Sequence, residues 1–172
     1  SKMDECSLLL FAQFSQQQQD LDSAIHALEV YLEEYPASPA AAPGRDWLAR
    51  LYFQKADQLR AFSNFPAALQ IYLNIQSRFQ SSIIDNVIEA IIAGLFVSWG
   101  DDLQANGDLA LSIEKYTIVL DYYPSTASLD PAISGLKTAI SAWHQSLLNN
   151  GEYEQALLEN QTLIAKYHMH TF

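Results

Sequence analysis

The sequence has few of the residues that disulfide chemistry or the binding of polyanions requires. Its one cysteine, Cys6, excludes an intrachain disulfide. It has nine Lys and Arg residues against twenty Asp and Glu residues, for a formal charge of −11. Because nucleic acids and anionic membranes are bound through clusters of Lys and Arg, the composition argues against both as partners. No apolar run approaches the ~18 residues that a spanning helix needs, so we predict no membrane insertion.

The sequence also lacks motifs that carry catalysis. It contains no nucleophile paired with a base, no phosphate-binding loop and no HExxH or CxxC spacing. The pairs Glu33-Glu34 and Asp101-Asp102 are typical of solvated helix faces. His168-Met169-His170 has metal-binding side chains but no Asp or Glu near it in sequence. We therefore predict no catalytic residue, no cofactor and no metal site, and do not expect an enzyme.

What the sequence does contain is an internal repeat with a period of 44 residues. A small residue recurs at Ala24, Ala68, Ser112 and Ala156, and a second one, replaced at the end by histidine, at Ala12, Ala56, Gly100 and His144. A large side chain recurs at Leu28, Tyr72 and Tyr116, with Asn160 in the fourth position, and a turn position at Gln19, Ser63, Gly107 and Gly151. Self-similarity at a fixed period is the signature of a repeat architecture.

The clearest repeat lies at 96–124, where two apolar helical faces are separated by Asn106-Gly107. Gly107 is typical of a helix end, and Asp108 can cap the helix that follows. The signature positions are Phe96, Trp99, Gly100, Leu103, Gly107, Ser112, Tyr116, Val119 and Pro124. In residue type and spacing this unit resembles a tetratricopeptide repeat. By their spacing, we expect Tyr72, Phe96, Trp99, Tyr116 and Trp143 to be core residues.

The period departs from that family, whose repeat has about 34 residues. The surplus precedes each first helix, and at 83–92 it continues the helical apolar pattern. We interpret it as an N-terminal extension of the first helix. A period in the forties also suits HEAT and armadillo arrays, but the Gly-Asp turn and the small and aromatic positions favour the tetratricopeptide interpretation.

The pattern predicts an all-α protein of four antiparallel helix pairs. The helices are expected at about 4–17, 21–35, 65–79, 83–105, 109–123, 131–149 and 152–168, with one more that begins at 41–44 and ends at about 62. The resemblance implies one α-α superhelix over 1–172, with repeats at about 4–38, 39–82, 83–126 and 127–170. The apolar run 8–11 leaves the first helix with an uncovered surface. We therefore expect a piece of a longer protein, and also consider self-association through that helix.

The resemblance implies that the first helices line a concave groove where partners bind. The corresponding groove residues are Arg50, Phe53, Asp57, Arg60, Val97, Asp101, Gln104, Ser141, Gln145 and Leu148. We expect a protein-interaction scaffold that holds a peptide or an amphipathic helix of a partner protein. One alternative is an envelope adaptor of the outer-membrane tetratricopeptide lipoprotein type, and another is a regulatory sensor that binds a small signalling peptide. Between compartments, we prefer the cytoplasm over a periplasm.

Overall fold

The computed structural model describes residues 4–79, 82–152, 154–155, 157–158 and 161–162, with the side chains of 82–86 left out. The described chain is all-α, as predicted, and its neighbouring helices pack in pairs. Its helices are α1 (Glu5–Gln17), α2 (Leu21–Glu34), α3 (Ala41–Ala61), α4 (Phe65–Arg78), α5 (Ser82–Ala105), α6 (Leu109–Tyr122) and α7 (Leu129–Asn149). The predicted eighth helix, 152–168, lies mostly outside the described residues.

The helix ends agree with the sequence prediction to within about two residues, the usual uncertainty of such boundaries. The start of α7 is the largest difference. The helix was expected to begin at about 131, but its N-cap is Ser128 and it begins at Leu129. Asp108 does occupy the N-cap position of α6, although its side chain makes no capping hydrogen bond. The local pattern therefore located the helices better than it located their capping contacts.

The chain divides into two compact units, Ser1–Ile88 and Glu89–Phe172, with the division inside α5. In the first unit, α1 packs on α2, α2 on α3, and α3 on α4. Its core is built from aliphatic side chains together with the buried aromatic residues Tyr31, Phe65 and Tyr72. In the second unit α6 packs on α7, and Tyr116 is the largest fully buried side chain.

All four helix-to-helix turns of the repeat have the same backbone geometry. The turn residues Gln19, Ser63, Gly107 and Gly151 have φ values of 61°, 56°, 85° and 79°. In each turn the next amide donates to the carbonyl five residues earlier, as Asp108 N does to Leu103 O at 2.9 Å. This is a Schellman motif, which requires a left-handed residue at the turn position. The 44-residue period found in the sequence is therefore also a period of backbone conformation.

Two glycines make room for the Tyr116 ring in the second unit. A Cβ atom built on Gly100 would lie 2.7 Å from Tyr116 Cε1, and one on Gly135 would also meet the ring. The small position of the first helix thus exists because the large side chain of its partner helix fills that space. The sequence identified Gly100 and Tyr116 as repeat positions, but neither their contact nor the part played by Gly135 on α7 was predicted.

The predicted aromatic core is confirmed in part. Tyr72, Phe96 and Tyr116 are buried, but Trp99 and Trp143 are only half-buried. The Trp99 ring stacks on Phe96 with 6.2 Å between centroids, and the ammonium of Lys115 lies 4.5 Å from the Trp99 centroid. The prediction that Trp99 is buried was therefore wrong, because the repeat pattern identified its helix face but not how much of the indole the neighbouring side chains cover.

A polar cluster joins three helices of the first unit. Tyr52 on α3 donates to Glu29 Oε1 on α2 at 2.6 Å, and Arg78 on α4 donates to the same oxygen at 3.0 Å. Burial alone would raise the pKa of Glu29, but the hydrogen bonds from Tyr52 and Arg78 outweigh it and hold that pKa below its ordinary value. The cluster therefore stabilises the helix packing through an ionised carboxylate.

Candidate functional site

Four of the predicted groove residues lie on α3 in the first unit. Phe53, Asp57 and Arg60 are separated by four and three positions, so they share one helix face. Asp57 Oδ1 lies 3.7 Å from Arg60 Nη2, and both side chains are about half exposed. Phe53 is half-buried because its ring packs against Tyr72, with 6.1 Å between centroids. Arg50 is exposed on the same helix.

The acidic groove residues are hydrogen-bonded to buried tyrosines of their own repeats. Tyr72 donates to Asp57 Oδ1 at 2.6 Å, and Tyr116 donates to Asp101 Oδ1 at 2.6 Å. Burial, and then the hydrogen bond to the carboxylate, raises the pKa of each tyrosine. Each hydroxyl therefore remains a proton donor, and each aspartate has a structural contact that the sequence prediction did not include.

Of the predicted residues on α5, which are Val97, Asp101 and Gln104, the last two lie at the hydroxyl of Tyr116. Gln104 Oε1 lies 3.2 Å from the Tyr116 hydroxyl. That hydroxyl has one proton, which it donates to Asp101 over the shorter distance. The Gln104 amide therefore fits better with its NH₂ group toward the hydroxyl oxygen. Asp101 is exposed, whereas Val97 and Gln104 are half-buried.

The three predicted residues on α7 are exposed and mostly satisfied within their own helix. Ser141 donates to the carbonyl of Lys137 at 2.9 Å, and Gln145 donates to Asn149 Oδ1 at 3.0 Å. Leu148 is 42% exposed. The α3 set belongs to the first unit and the α5 and α7 sets to the second, and that all of them line one groove stays a prediction.

A pocket of about 580 Å³ adjoins Asp57 in the first unit. Its lining comes from α1, α3, the turn after α1 and the first residue of α2: Gln16, Gln19, Leu21, Gln54, Asp57, Gln58 and Ala61. Trp47 Nε1 donates to Gln16 Oε1 at 2.8 Å, which holds the Gln16 side chain in place. We refer to this space as the amide pocket. The amide pocket was not predicted from the sequence, because glutamine belongs to no binding motif. The one sequence feature that could have indicated it is that Gln16 lies one 44-residue period before the predicted groove residue Arg60.

A smaller pocket occurs at the equivalent place in both units. In the first unit, about 310 Å³ is bordered by residues 19–22 together with Lys55 and Gln58. In the second unit, about 340 Å³ is bordered by residues 107–111 together with Trp143 and Ser146. These positions are two periods apart in sequence. In both units, therefore, the same part of a first helix faces the turn of the preceding helix pair.

The described residues hold no cluster of three His, Cys, Asp or Glu side chains placed to bind a metal ion. The sequence 168–170 lies outside the described residues. His26 is exposed, and in His144 the Nε2 atom is buried without a hydrogen-bond partner. In the part of the chain that the structure describes, every helix is too short or too polar to cross a lipid bilayer.

Comparison with known proteins adds no relative to this description. No protein-family model, no curated protein and no solved structure matches the chain.

Proposed function

We propose that the protein is a non-catalytic binding module of the tetratricopeptide-like kind. In this proposal, the surface formed by α3 and the amide pocket holds a peptide or a helix of a partner protein. The observation that carries the proposal is the amide pocket itself, in which four glutamines and one carboxylate border an open space of about 580 Å³. Space of this size accommodates several side chains or a short length of main chain.

Glutamine suits main-chain recognition because its amide both donates and accepts hydrogen bonds, as a peptide group does. Gln16 is already oriented by Trp47, and its own NH₂ group lies 3.5 Å from Gln54 Oε1. Part of the rim is therefore ordered before a ligand binds, which lowers the entropic cost of association. Gln19 and Gln58 complete the set of amides around the pocket.

The remaining side chains on α3 favour a ligand with an apolar group next to a cation. The half-buried Phe53 offers a ring face, and Arg60 and Tyr72 both contact Asp57 through Oδ1. Because the Asp57 side chain is 58% exposed, its carboxylate is accessible to a Lys or Arg of the ligand. The net charge of −11 also favours the approach of a cationic segment.

The test starts from a random peptide library displayed on phage and selected on the immobilised protein. Affinities of an enriched peptide are then measured by calorimetry for the wild type, Gln58→Ala and Asp57→Asn. Gln70→Ala is the matched control, since Gln70 is an exposed glutamine on α4 that does not line the pocket. Phe53 is a less suitable probe because its ring also packs on Tyr72.

We expect Gln58→Ala to weaken binding about fivefold to tenfold, which corresponds to a lost hydrogen bond of about 1 kcal/mol. Asp57→Asn should weaken peptides that contain Lys or Arg more than those that lack them. Gln70→Ala should leave the affinity unchanged. A library that yields no enriched peptide, or an enriched peptide that responds equally to Gln58→Ala and Gln70→Ala, would count against the proposed site.

A further inference from the structure

One side of α1 exposes three large apolar side chains within five residues. Leu10, Phe11 and Phe14 are 60%, 44% and 59% exposed. We call these residues the α1 apolar face. No other described helix exposes three such side chains so close together. The one charged residue of α1, Glu5, accepts hydrogen bonds from Tyr31 and Ser38 of its own unit and does not lie on this face.

The internal repeat shows what the equivalent positions contact in α3, the first helix of the next repeat, which packs on a preceding helix pair. One period further on, Leu10, Phe11 and Phe14 correspond to Gln54, Lys55 and Gln58 on α3. All three contact or face the preceding helix pair. Gln54 Oε1 is 3.5 Å from Gln16 Nε2, Lys55 forms an ion pair with Asp22, and Gln58 borders the pocket against the turn after α1.

The second unit repeats the arrangement independently. Trp143 and Ser146 on α7, at the positions equivalent to Phe11 and Phe14, border a pocket against residues 107–111. In both units this part of a first helix therefore faces a neighbouring helix pair. On α1 the same positions are more apolar than on α3, yet they are exposed. The α1 apolar face thus has the position and the composition of a helix-packing surface.

We propose that a second copy of this chain covers the α1 apolar face, with α1 packed against α1 across a two-fold axis. At such an axis each surface meets its own copy, so a charged surface would repel itself. Where two different surfaces meet, they can instead carry opposite charges, as Lys55 and Asp22 do in the first unit. The α1 apolar face has no charge and carries two aromatic rings, which makes it complementary to itself.

The size of the α1 apolar face limits the affinity of the proposed dimer, and the two-fold symmetry limits the number of copies. α1 has 13 residues. It is therefore about 20 Å long, and such an interface falls below the roughly 800 Å² per partner of standard complexes. We accordingly expect a reversible dimer with a Kd in the micromolar range. Because the two-fold contact closes on itself, assembly should stop at two copies.

Analytical ultracentrifugation of the 172-residue chain tests the proposal. Over a protein concentration series from about 1 to about 200 μM, which brackets a micromolar Kd, the wild type should change from monomer to dimer. Phe14→Gln should raise the Kd about tenfold or more, and Leu10→Gln provides an independent second variant. Phe62→Gln is the matched control, because Phe62 is 83% exposed at the end of α3 and does not belong to the α1 apolar face.

Thermal melts followed by circular dichroism should show that the α1 variants remain folded, since substitutions at exposed positions have little effect on stability. Three results would overturn the proposal. The first is a monomer at every concentration, and the second is a dimer as tight in both α1 variants as in the wild type. The third is assembly that continues past two copies, which would indicate a head-to-tail contact through a different surface.

Discussion

The four turn positions allow a sharp test of the fold, because two hold glycine and two do not. Gly107 has a φ of 85°, and a Cβ atom added there would meet no atom within 4 Å. Any effect of Gly107→Ala is therefore due to the backbone and not to a clash. Gly94 gives a matched control in the same unit. It lies inside α5, and a Cβ there would approach only Ser128 Oγ, at an ordinary 3.7 Å.

The magnitudes follow from backbone conformation alone. A left-handed conformation costs a residue with a side chain about 1–2 kcal/mol, while removing a glycine from the unfolded chain recovers about 0.5–1 kcal/mol. Gly107→Ala should therefore lower the free energy of unfolding by about 1 kcal/mol. Gly94→Ala should raise it by about 0.5–1 kcal/mol, because alanine favours a helix interior. The same reasoning predicts that Gln19→Gly stabilises the first unit by about 0.5–1 kcal/mol.

Urea unfolding followed by circular dichroism measures all three variants. For a chain of this size, 1 kcal/mol corresponds to about 2–4 °C in Tm, so thermal melts provide a second measurement. The decisive result is the opposite sign of the same substitution at Gly107 and Gly94. Equal shifts at both positions, or a Gln19→Gly variant less stable than the wild type, would refute the left-handed turns and the repeat geometry that depends on them.

Two further predictions concern packing and pH. Gly100→Ala should lower the free energy of unfolding by about 1–3 kcal/mol in urea titrations, because the added Cβ meets the buried Tyr116 ring. An unchanged urea midpoint would show that the ring has room to move. The pKa of Glu29 is held below its ordinary 4.5 in the folded state, so its contribution to stability is present above that pH and is lost as the pH falls through the folded pKa. Glu29→Gln removes this titrating group. Between pH 5 and pH 3, the free energy of unfolding should therefore fall more for the wild type than for the variant. Equal acid sensitivity of the two proteins would mean that the contacts of Glu29 with Tyr52 and Arg78 do not form in solution.

Several features were determined by the sequence alone, because each depends on residues close together in the chain. Helix positions follow from apolar spacing and turn residues, and seven of the eight predicted helices lie where they were expected. The 44-residue period also identified the four turn positions before their backbone angles were known. The recurring small and large positions, which include Gly100 and Tyr116, were also visible in the sequence, because each recurs at the 44-residue period.

Other features depend on distances between helices, which only the tertiary structure decides. Asp57 and Asp101 were assigned from the sequence only to the partner-binding groove, yet each accepts a hydrogen bond from a tyrosine on the partner helix. Trp99 has core spacing but stays half-buried, because burial depends on which neighbours cover a side chain and not on its period. The amide pocket likewise forms only where α1 and α3 meet, because helix packing brings together glutamines that are far apart in sequence.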